Sequence, residues 1–555
     1  MRELLLKHHR ALFYFGWLTF NLVQAGLTGL LDDEAYYWVY AQYPAWGYFD
    51  HPPMIAWLIW AGTTLFPGEF GVRFWIAVLN TATVFIIGQL ISSTNHRLFY
   101  AICFSLAVAQ IGGILAVPDL PLLFFTAVFF LAYRRFAERM DIVAVVSLAL
   151  AVALMLYSKY HGILIILFTL MSNPKLFLKY QTYLVMALAG LLFLPHIIWQ
   201  VENGMPSVQY HLFERNAPAY QFSFTLEYFS GQLAFAGPVI GWLLLYAAFR
   251  YKSRSAVEKA LKYSMVGVYL FFLISSLRGR VEANWTVPAF VALIVLSTNY
   301  LSTAPRLEKW VYRLLPVTLL LVLALRVFMA LDIPRVEAIS KDEFHGNETW
   351  VSEVEQRAQG LPVVFMDSYQ KPSKYFFYSG KPAMSFNTIT YRRNNYNYWP
   401  LEDSMLNKKV FIAGWKGPVF PAEFSDSYLK QYGSRIVDNY YSFSKVRLVD
   451  AGVTSVKAGV AALQFRAEFP DHYLHAFNTP GMDTASLHLA ILRENQPVIF
   501  FPAGMSVKEL KSGAEFRLRV PVTLGKGAHY ARLAISSCMP GYPSVNSTGF
   551  SLVVD

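Results

Sequence analysis

Leu331-Asp332-Ile333-Pro334 is where this chain changes character. On its N-terminal side, apolar runs long enough to cross a membrane follow one another; on its C-terminal side, polar and charged residues return at ordinary density and no such run remains. A hydrocarbon core about 30 Å thick asks for about 20 helical residues at about 1.5 Å each. Eleven segments before the boundary qualify as whole, short or broken spans: 11–31, 72–91, 98–117, 120–133, 142–157, 161–171, 181–199, 231–249, 263–277, 285–300 and 311–331. The averages over 555 residues, 55% hydrophobic, 15% charged and a mean hydropathy of +0.36, therefore mix two unlike parts. They exclude a wholly soluble or disordered chain, because ordinary globular domains are about 45–50% apolar and about 25% charged.

The net charge of +11 is distributed along the membrane part. With the N-terminus in the cytoplasm, the inner loops hold sixteen Lys and Arg and the outer loops four. Basic residues in short loops stay inside, so this asymmetry sets the orientation and makes the charge a topological signal; no nucleic-acid partner is expected. Segment 11–31 follows Arg2, Lys7 and Arg10 but ends in Leu30-Leu31-Asp32 without a small-residue cleavage site, and reads as an anchor. Eleven crossings place everything after 331 on the outer side. Cys103 and Cys538 suggest neither a disulfide framework nor a zinc site.

Three regions result: a transmembrane catalytic domain at 1–331, an extracytoplasmic α/β region at 332–438 and an extracytoplasmic β-rich region at 439–555. Short apolar runs such as 361–367 and 409–414 flank a helix near 370–378, as in an α/β unit. Period-two stretches at 462–469 and 515–520 predict half-buried antiparallel strands of a small sandwich.

The chemistry-bearing residues gather on the predicted outer side. Asp32-Asp33-Glu34 follows the first span, where the C-terminal helix dipole disfavours anions; three acids there ask for strong solvation or a cationic partner. The alternative is a water boundary followed by an interfacial aromatic belt, Tyr36, Tyr37, Trp38 and Tyr40. The loop continues through Gly47-Tyr48-Phe49-Asp50-His51-Pro52-Pro53-Met54 without any Lys or Arg. A carboxylate at a membrane surface can act as general base for a hydroxyl acceptor, and a sugar on a lipid phosphate already carries a good leaving group, so the rest of the site need only hold that phosphate. Asp119, before Leu120-Pro121, falls on the same side and equally suits a helix cap. Arg278 and Arg280, with Glu282, Asn284 and Trp285, oppose the basic-inside trend and suit phosphate recognition, or else meet lipid phosphates or Glu282. Lys159 either snorkels or contacts phosphate, and His51 either donates to phosphate, ligates metal or caps. His211, Glu214 and Arg215 could contact acceptor or metal but show no metal-binding spacing. No nucleotide-binding glycine motif occurs, so no nucleotide cofactor is expected.

Asp33-Glu34, the Tyr-Phe-Asp-His-Pro-Pro segment at 48–53, Pro118-Asp119-Leu120-Pro121 and Lys159-Tyr160-His161-Gly162 together resemble a family 39 glycosyltransferase. The resemblance covers about residues 10–330. It is nearest the bacterial branch that includes lipid A aminoarabinose and galacturonosyl transferases, with protein O-mannosyltransferases as distant relatives; Arg392–Trp399 also resembles the outer domain of that branch. It implies a C-type glycosyltransferase fold in the bacterial inner membrane, an undecaprenyl-phosphate sugar donor and inversion at the anomeric carbon. It also implies Asp33 as base, Glu34 supporting it or a divalent metal, and Asp119 as the second acid, a metal being held by Asp33, Glu34 and Asp119. Donor phosphate falls to Arg278, Arg280, Lys159 and His51, and substrate contacts to Asp32, Tyr36, Tyr37, Tyr48, Asp50, Glu282, Asn284 and Trp285. The aminoarabinose transferases carry Lys where this chain has His51, which implies a weaker or pH-dependent phosphate contact, and they have thirteen spans where eleven are read here. Lipid A, another envelope lipid, a glycan or a protein hydroxyl all remain as acceptors. The alternative class is a lipid-linked sugar transporter or flippase, for which intramembrane charges mark a pathway.

Overall fold

The computed structural model describes residues 2–211, 220–331, 342–427, 430–457, 459–479, 485–493 and 496–554. It forms two compact units, Met1–Val336 and Glu337–Asp555, which divide inside the stretch 332–341, outside the described residues. Glu214 and Arg215 also lie outside them.

The first unit is helical. In chain order it contains α1 (Arg2–Leu27), α2 (Asp32–Gln42), α3 (Met54–Leu65), α4 (Gly68–Leu90), α5 (His96–Ser105), α6 (Ala107–Gln110), α7 (Asp119–Arg139), α8 (Ile142–Ser158), α9 (Gly162–Ser172), α10 (Tyr180–Glu202) and α11 (Pro206–Gln209). There follow α12 (Phe222–Phe235), α13 (Gly241–Arg250), α14 (Ala256–Ser276), a 3-10 stretch at Ala283–Ala289, α15 (Phe290–Leu301) and α16 (Pro305–Ala330). All eleven predicted segments lie largely on helix. Among the described residues, five helices are long and apolar enough to cross a membrane, and six if α5 and the helical turns at 107–114 form one span bent by 77°.

Three expectations need correction. The first helix stops at Leu27, and the chain restarts as α2 at Asp32, so the three acids open a helix and face the favourable end of its dipole. Segment 120–133 is no half-span but part of the 21-residue α7, because Tyr133-Arg134-Arg135 ended the apolar run without ending the helix. The stretch 32–71, read as a loop, contains α2 and the apolar α3, which packs on α4.

Where helices break, side chains take up the freed backbone groups, as burial in an apolar medium requires. At the bend after α5, the Asn80 side-chain amide donates to the carbonyls of Ala109 and Gly113, each at 3.0 Å. Gly113 is needed for that approach: a Cβ there would stand 1.9 Å from the Asn80 amide nitrogen.

The second unit joins a mixed sheet to two antiparallel ones. The mixed sheet has the order β2-β1-β3-β5-β4, with β1 (Val363–Met366) parallel to β2 (Ala383–Phe386) and β3 (Val410–Trp415), and β5 (Gln431–Val437) antiparallel to β3 and to β4 (Phe424–Ser425). Helices α17 (Asn347–Ala358) and α18 (Gln370–Ser379) accompany it, with Trp350, Val354, Phe365 and Phe411 in the core. Beyond it, β6 (Arg447–Lys457), β7 (Val460–Glu468) and β10 (Glu515–Pro521) form one antiparallel sheet. β8 (Ser486–Arg493), β9 (Gln496–Ser506), β11 (Gly527–Ile535), β12 (Ser544–Val545) and β13 (Phe550–Val554) form the other. Leu463, Phe465, Leu489, Leu533 and Leu552 share the core between them, the first two being alternate residues of the period-two stretch at 462–469.

Candidate functional site

The site is built around the start of α2. Glu34, in its first turn, is fully buried against the equally buried Arg73 of α4. Arg73 Nε and Nη2 donate to the two Glu34 oxygens at 2.7 and 2.5 Å, in the forked geometry that suits guanidinium and carboxylate. The same guanidinium donates to the carbonyls of Ala25, Thr28 and Gly29, so it also closes the C-terminal end of α1. Glu34 further accepts from the backbone N–H of Leu31 (3.0 Å) and of Ala116 (2.7 Å). One ion pair thus ties together α1, α2, α4 and the strand-like approach to α7. Asp33, its neighbour, is half-buried, and Asp32 is buried.

Asp119 opens α7, where the dipole again favours an anion. Its oxygens accept from Lys159 Nζ at 2.7 Å and from Asn284 Nδ2 at 3.0 Å. Lys159, between α8 and α9, therefore neither snorkels nor stands clear: it is buried as the partner of Asp119. Trp285 packs at a tilt against His161 and Phe272, at centroid distances of 5.6 and 5.7 Å.

The loop between α2 and α3 is fixed from below. Tyr40 donates to Asp50 at 2.5 Å and stacks on Tyr48 at 4.0 Å; Tyr48 donates to the carbonyls of Tyr40 and Tyr43. Tyr36, Tyr37 and Tyr48, expected to meet substrate, are buried, Tyr36 against Tyr40 and Tyr37 against His51. Below them, His196 Nδ1 donates to the Trp46 carbonyl (2.8 Å), which leaves Nε2 to accept from Tyr160 (3.0 Å) in the neutral ring. Gln200 donates to Tyr160 and to Ser207, and Ser207 donates to the carbonyls of Tyr48 and Phe49. Gly47 is wedged into this support: a Cβ would lie 2.4 Å from the Trp199 ring and 2.8 Å from His196. His211 donates to the Asp50 carbonyl at 3.2 Å.

Several assigned roles change. Burial pushes His51 down to about 4, and the charges of Asp50 and Asp119 only partly oppose this, so the ring is neutral at physiological pH and offers a donor but no charge. Arg278 is exposed; Arg280, 64% exposed, pairs with Glu227 at 3.2 Å and Glu282 at 3.7 Å. The expected metal set does not fit a cation. Glu34 is saturated by Arg73 and two backbone N–H groups, and Asp119 is occupied by Lys159 and Asn284. Among the described residues, no three His, Cys, Asp or Glu side chains are placed to hold a metal. Arg73 was missed because it sits inside a predicted span; an arginine in such a run is itself the signal of a buried partner.

Residues 50–199, from Asp50 to Trp199, match the family model described as dolichyl-phosphate-mannose-protein mannosyltransferase. The chain is similar to the lipid A galacturonosyltransferase RgtD of Rhizobium johnstonii, 26% identical over 286 residues, or 49% of this chain. It spans 60% of the length of that relative. The crystal structure of ArnT from Cupriavidus metallidurans, bound to undecaprenyl phosphate, superposes with a TM-score of 0.55 at 12% identity, over 77% of this chain and 98% of that one. The fold is that of a C-type glycosyltransferase. The resemblance first carried by a few short motifs is thus found again in a family model, a curated relative and a solved structure, and the protein is a polytopic membrane protein of this fold.

Proposed function

We propose that the chain is an inverting glycosyltransferase of the inner membrane. It moves a sugar from a polyprenyl-phosphate donor to a hydroxyl or phosphate of an envelope lipid, lipid A first among them, at the outer face. The observation that carries this reading is the placement of Asp33, half-buried at the positive end of α2 and next in sequence to Glu34, whose ion pair with Arg73 fixes that turn. In this arrangement Asp33 takes the acceptor proton as its oxygen attacks the anomeric carbon, and the bond from that carbon to the phosphate oxygen breaks with inversion. Lys159 and Asn284 hold Asp119 in place, and Arg278 is an exposed guanidinium suited to the departing phosphate. The relatives support donor and acceptor class: RgtD is named for lipid A, and ArnT was solved with undecaprenyl phosphate.

Asp33→Asn should lower transfer by about 10²–10⁴-fold, the range for a positioned general base. The assay is transfer from a polyprenyl-phosphate sugar in membranes containing equal amounts of inserted protein, with mass spectrometry of envelope lipids from cells with and without the protein to name the acceptor. Wild-type rates in Asp33→Asn would overturn the assignment of the base, and unchanged envelope lipids alongside a newly glycosylated protein would move the acceptor to a protein hydroxyl.

A further inference from the structure

Arg326 lies in the last turn and a half of α16, a helix long and apolar enough to cross a membrane, and it is only 2% exposed. Unlike Arg73, it meets no carboxylate among the described residues. Its Nη2 donates to Asn21 Oδ1 of α1 at 2.8 Å and to the Gln110 carbonyl at the bend of the third segment. Its Nε and Nη1 are buried without a hydrogen-bond acceptor. The same holds for Asn21 Nδ2 and for Trp17 Nε1, one turn earlier on the same side of α1. Gln24, the next polar residue of that face, donates both its protons elsewhere, to Thr28 and the Arg326 carbonyl. The guanidinium and two side chains one turn apart on α1 thus present four buried nitrogens without an acceptor, while Asn21 Oδ1 and the Gln110 carbonyl are already taken by Nη2.

A buried guanidinium is tolerated when an anion and hydrogen-bond acceptors meet it. Here the missing partner is an acceptor-rich anion, and phosphate, with several oxygens for a forked donor, is the chemistry that fits. Its source is indicated by what surrounds the cluster. The Phe20 ring covers the guanidinium at 4.4 Å and is itself 45% exposed, and Phe15, Val23, Leu27, Leu323 and Leu325 expose apolar surface along the same two helices. We infer that Arg326, Asn21 and Trp17 form a binding site for the phosphate of a membrane lipid, entered past Phe20 and separate from the Asp33–Asp119 cluster. The inference needs only a membrane-spanning chain and not sugar transfer, so it stands or falls apart from the proposed activity. Through the Gln110 carbonyl, an occupied site would hold the bent segment that leads to Ala116 and Asp119.

The test is native mass spectrometry of the full chain released from nanodiscs containing phosphatidylglycerol, compared with detergent-solubilised protein given inorganic phosphate. The wild-type protein should retain a lipid that Arg326→Gln holds about tenfold or more weakly, the loss of one charge-assisted fork. Asn21→Leu and Trp17→Phe keep the charge, and each should weaken retention by a smaller factor; they serve where Arg326→Gln does not fold. Equal lipid retention in the wild type and in the folded variants would overturn the site. Saturable stabilisation of the wild type by inorganic phosphate, with no lipid retained, would overturn the lipid as its source.

Discussion

Glu34 and Glu402 are both fully buried carboxylates, one in each unit, and they are accommodated in opposite ways. Glu34 is met by a guanidinium and two backbone N–H groups. Among the described residues, Glu402 accepts only from neutral donors: Ser442, the N–H and hydroxyl of Ser444, and Tyr473 at 2.7 Å. The difference is not one of compartment, since Glu258 of the membrane unit takes neutral donors from Ser92, Tyr251 and Asn299, and Asp426 of the second unit meets Lys371. It follows what each acid joins. Glu34 and Arg73 connect three helices and the segment before α7 beside the candidate site, where a charge pair also fixes the local field. Glu402 only fastens the connection before β3 to the segment before β6 and to the turn at Tyr473.

The largest expected effect comes from unbalancing the pair. Arg73→Leu leaves Glu34 buried without its cation and should cost about 3–5 kcal/mol, whereas Arg73→Met with Glu34→Met should recover most of that loss. Thermal unfolding of the detergent-solubilised chain measures both, and a double variant no better than the single one would mean that packing, not charge, dominates there. Glu402→Gln keeps the shape but turns an NH2 toward donors, and should cost about 1–3 kcal/mol. A loss as large as that of Arg73→Leu would erase the distinction between the two acids.

Two titrations sharpen it further, with opposite signs. Burial pushes Asp367 up to about 6, against hydrogen bonds from Thr388, so its contribution to stability is full below about pH 3.8 and is lost as pH rises through 6. Asp367→Asn should therefore gain about 1–2 kcal/mol above pH 6.5, allowing for solvent screening, and none near pH 3.5. The left-handed backbone at that position, φ 49°, suits asparagine as well. For His51, lowered to about 4, stability is full above pH 6.5 and is lost as pH falls toward 4. The smallest effect is on transfer by His51→Gln, which should stay within about tenfold of wild type because one neutral donor replaces another. A drop of a hundredfold would mean that the ring works as a cation.

The sequence made the division near 331, the helical segments and the sandwich legible because each rests on a long repeated pattern. It placed Asp33, Asp119, Lys159 and Asn284 on one side, and three of these four meet in a single hydrogen-bonded cluster. What it misjudged were local decisions made by distant residues. Leu30-Leu31 prolonged an apolar run whose helix had already ended at Leu27, which reversed the dipole argument for Asp32-Asp33-Glu34. Arg73 and Arg326 disappeared into runs scored for hydrophobicity, although a lone arginine in such a run is the most informative residue in it. In the aromatic stretch at 391–399, Tyr396 and Trp399 are buried, with Tyr396 bonded to Ser373.

The bend after α5 also bears on biogenesis. The carbonyls of Ala109 and Gly113 are satisfied by Asn80, a side chain of the preceding long helix α4. A straight helix would satisfy those carbonyls within the third segment itself; the bent one relies on α4 for them. The side chain that holds the bend thus belongs to a helix that leaves the ribosome first, α4 before α5.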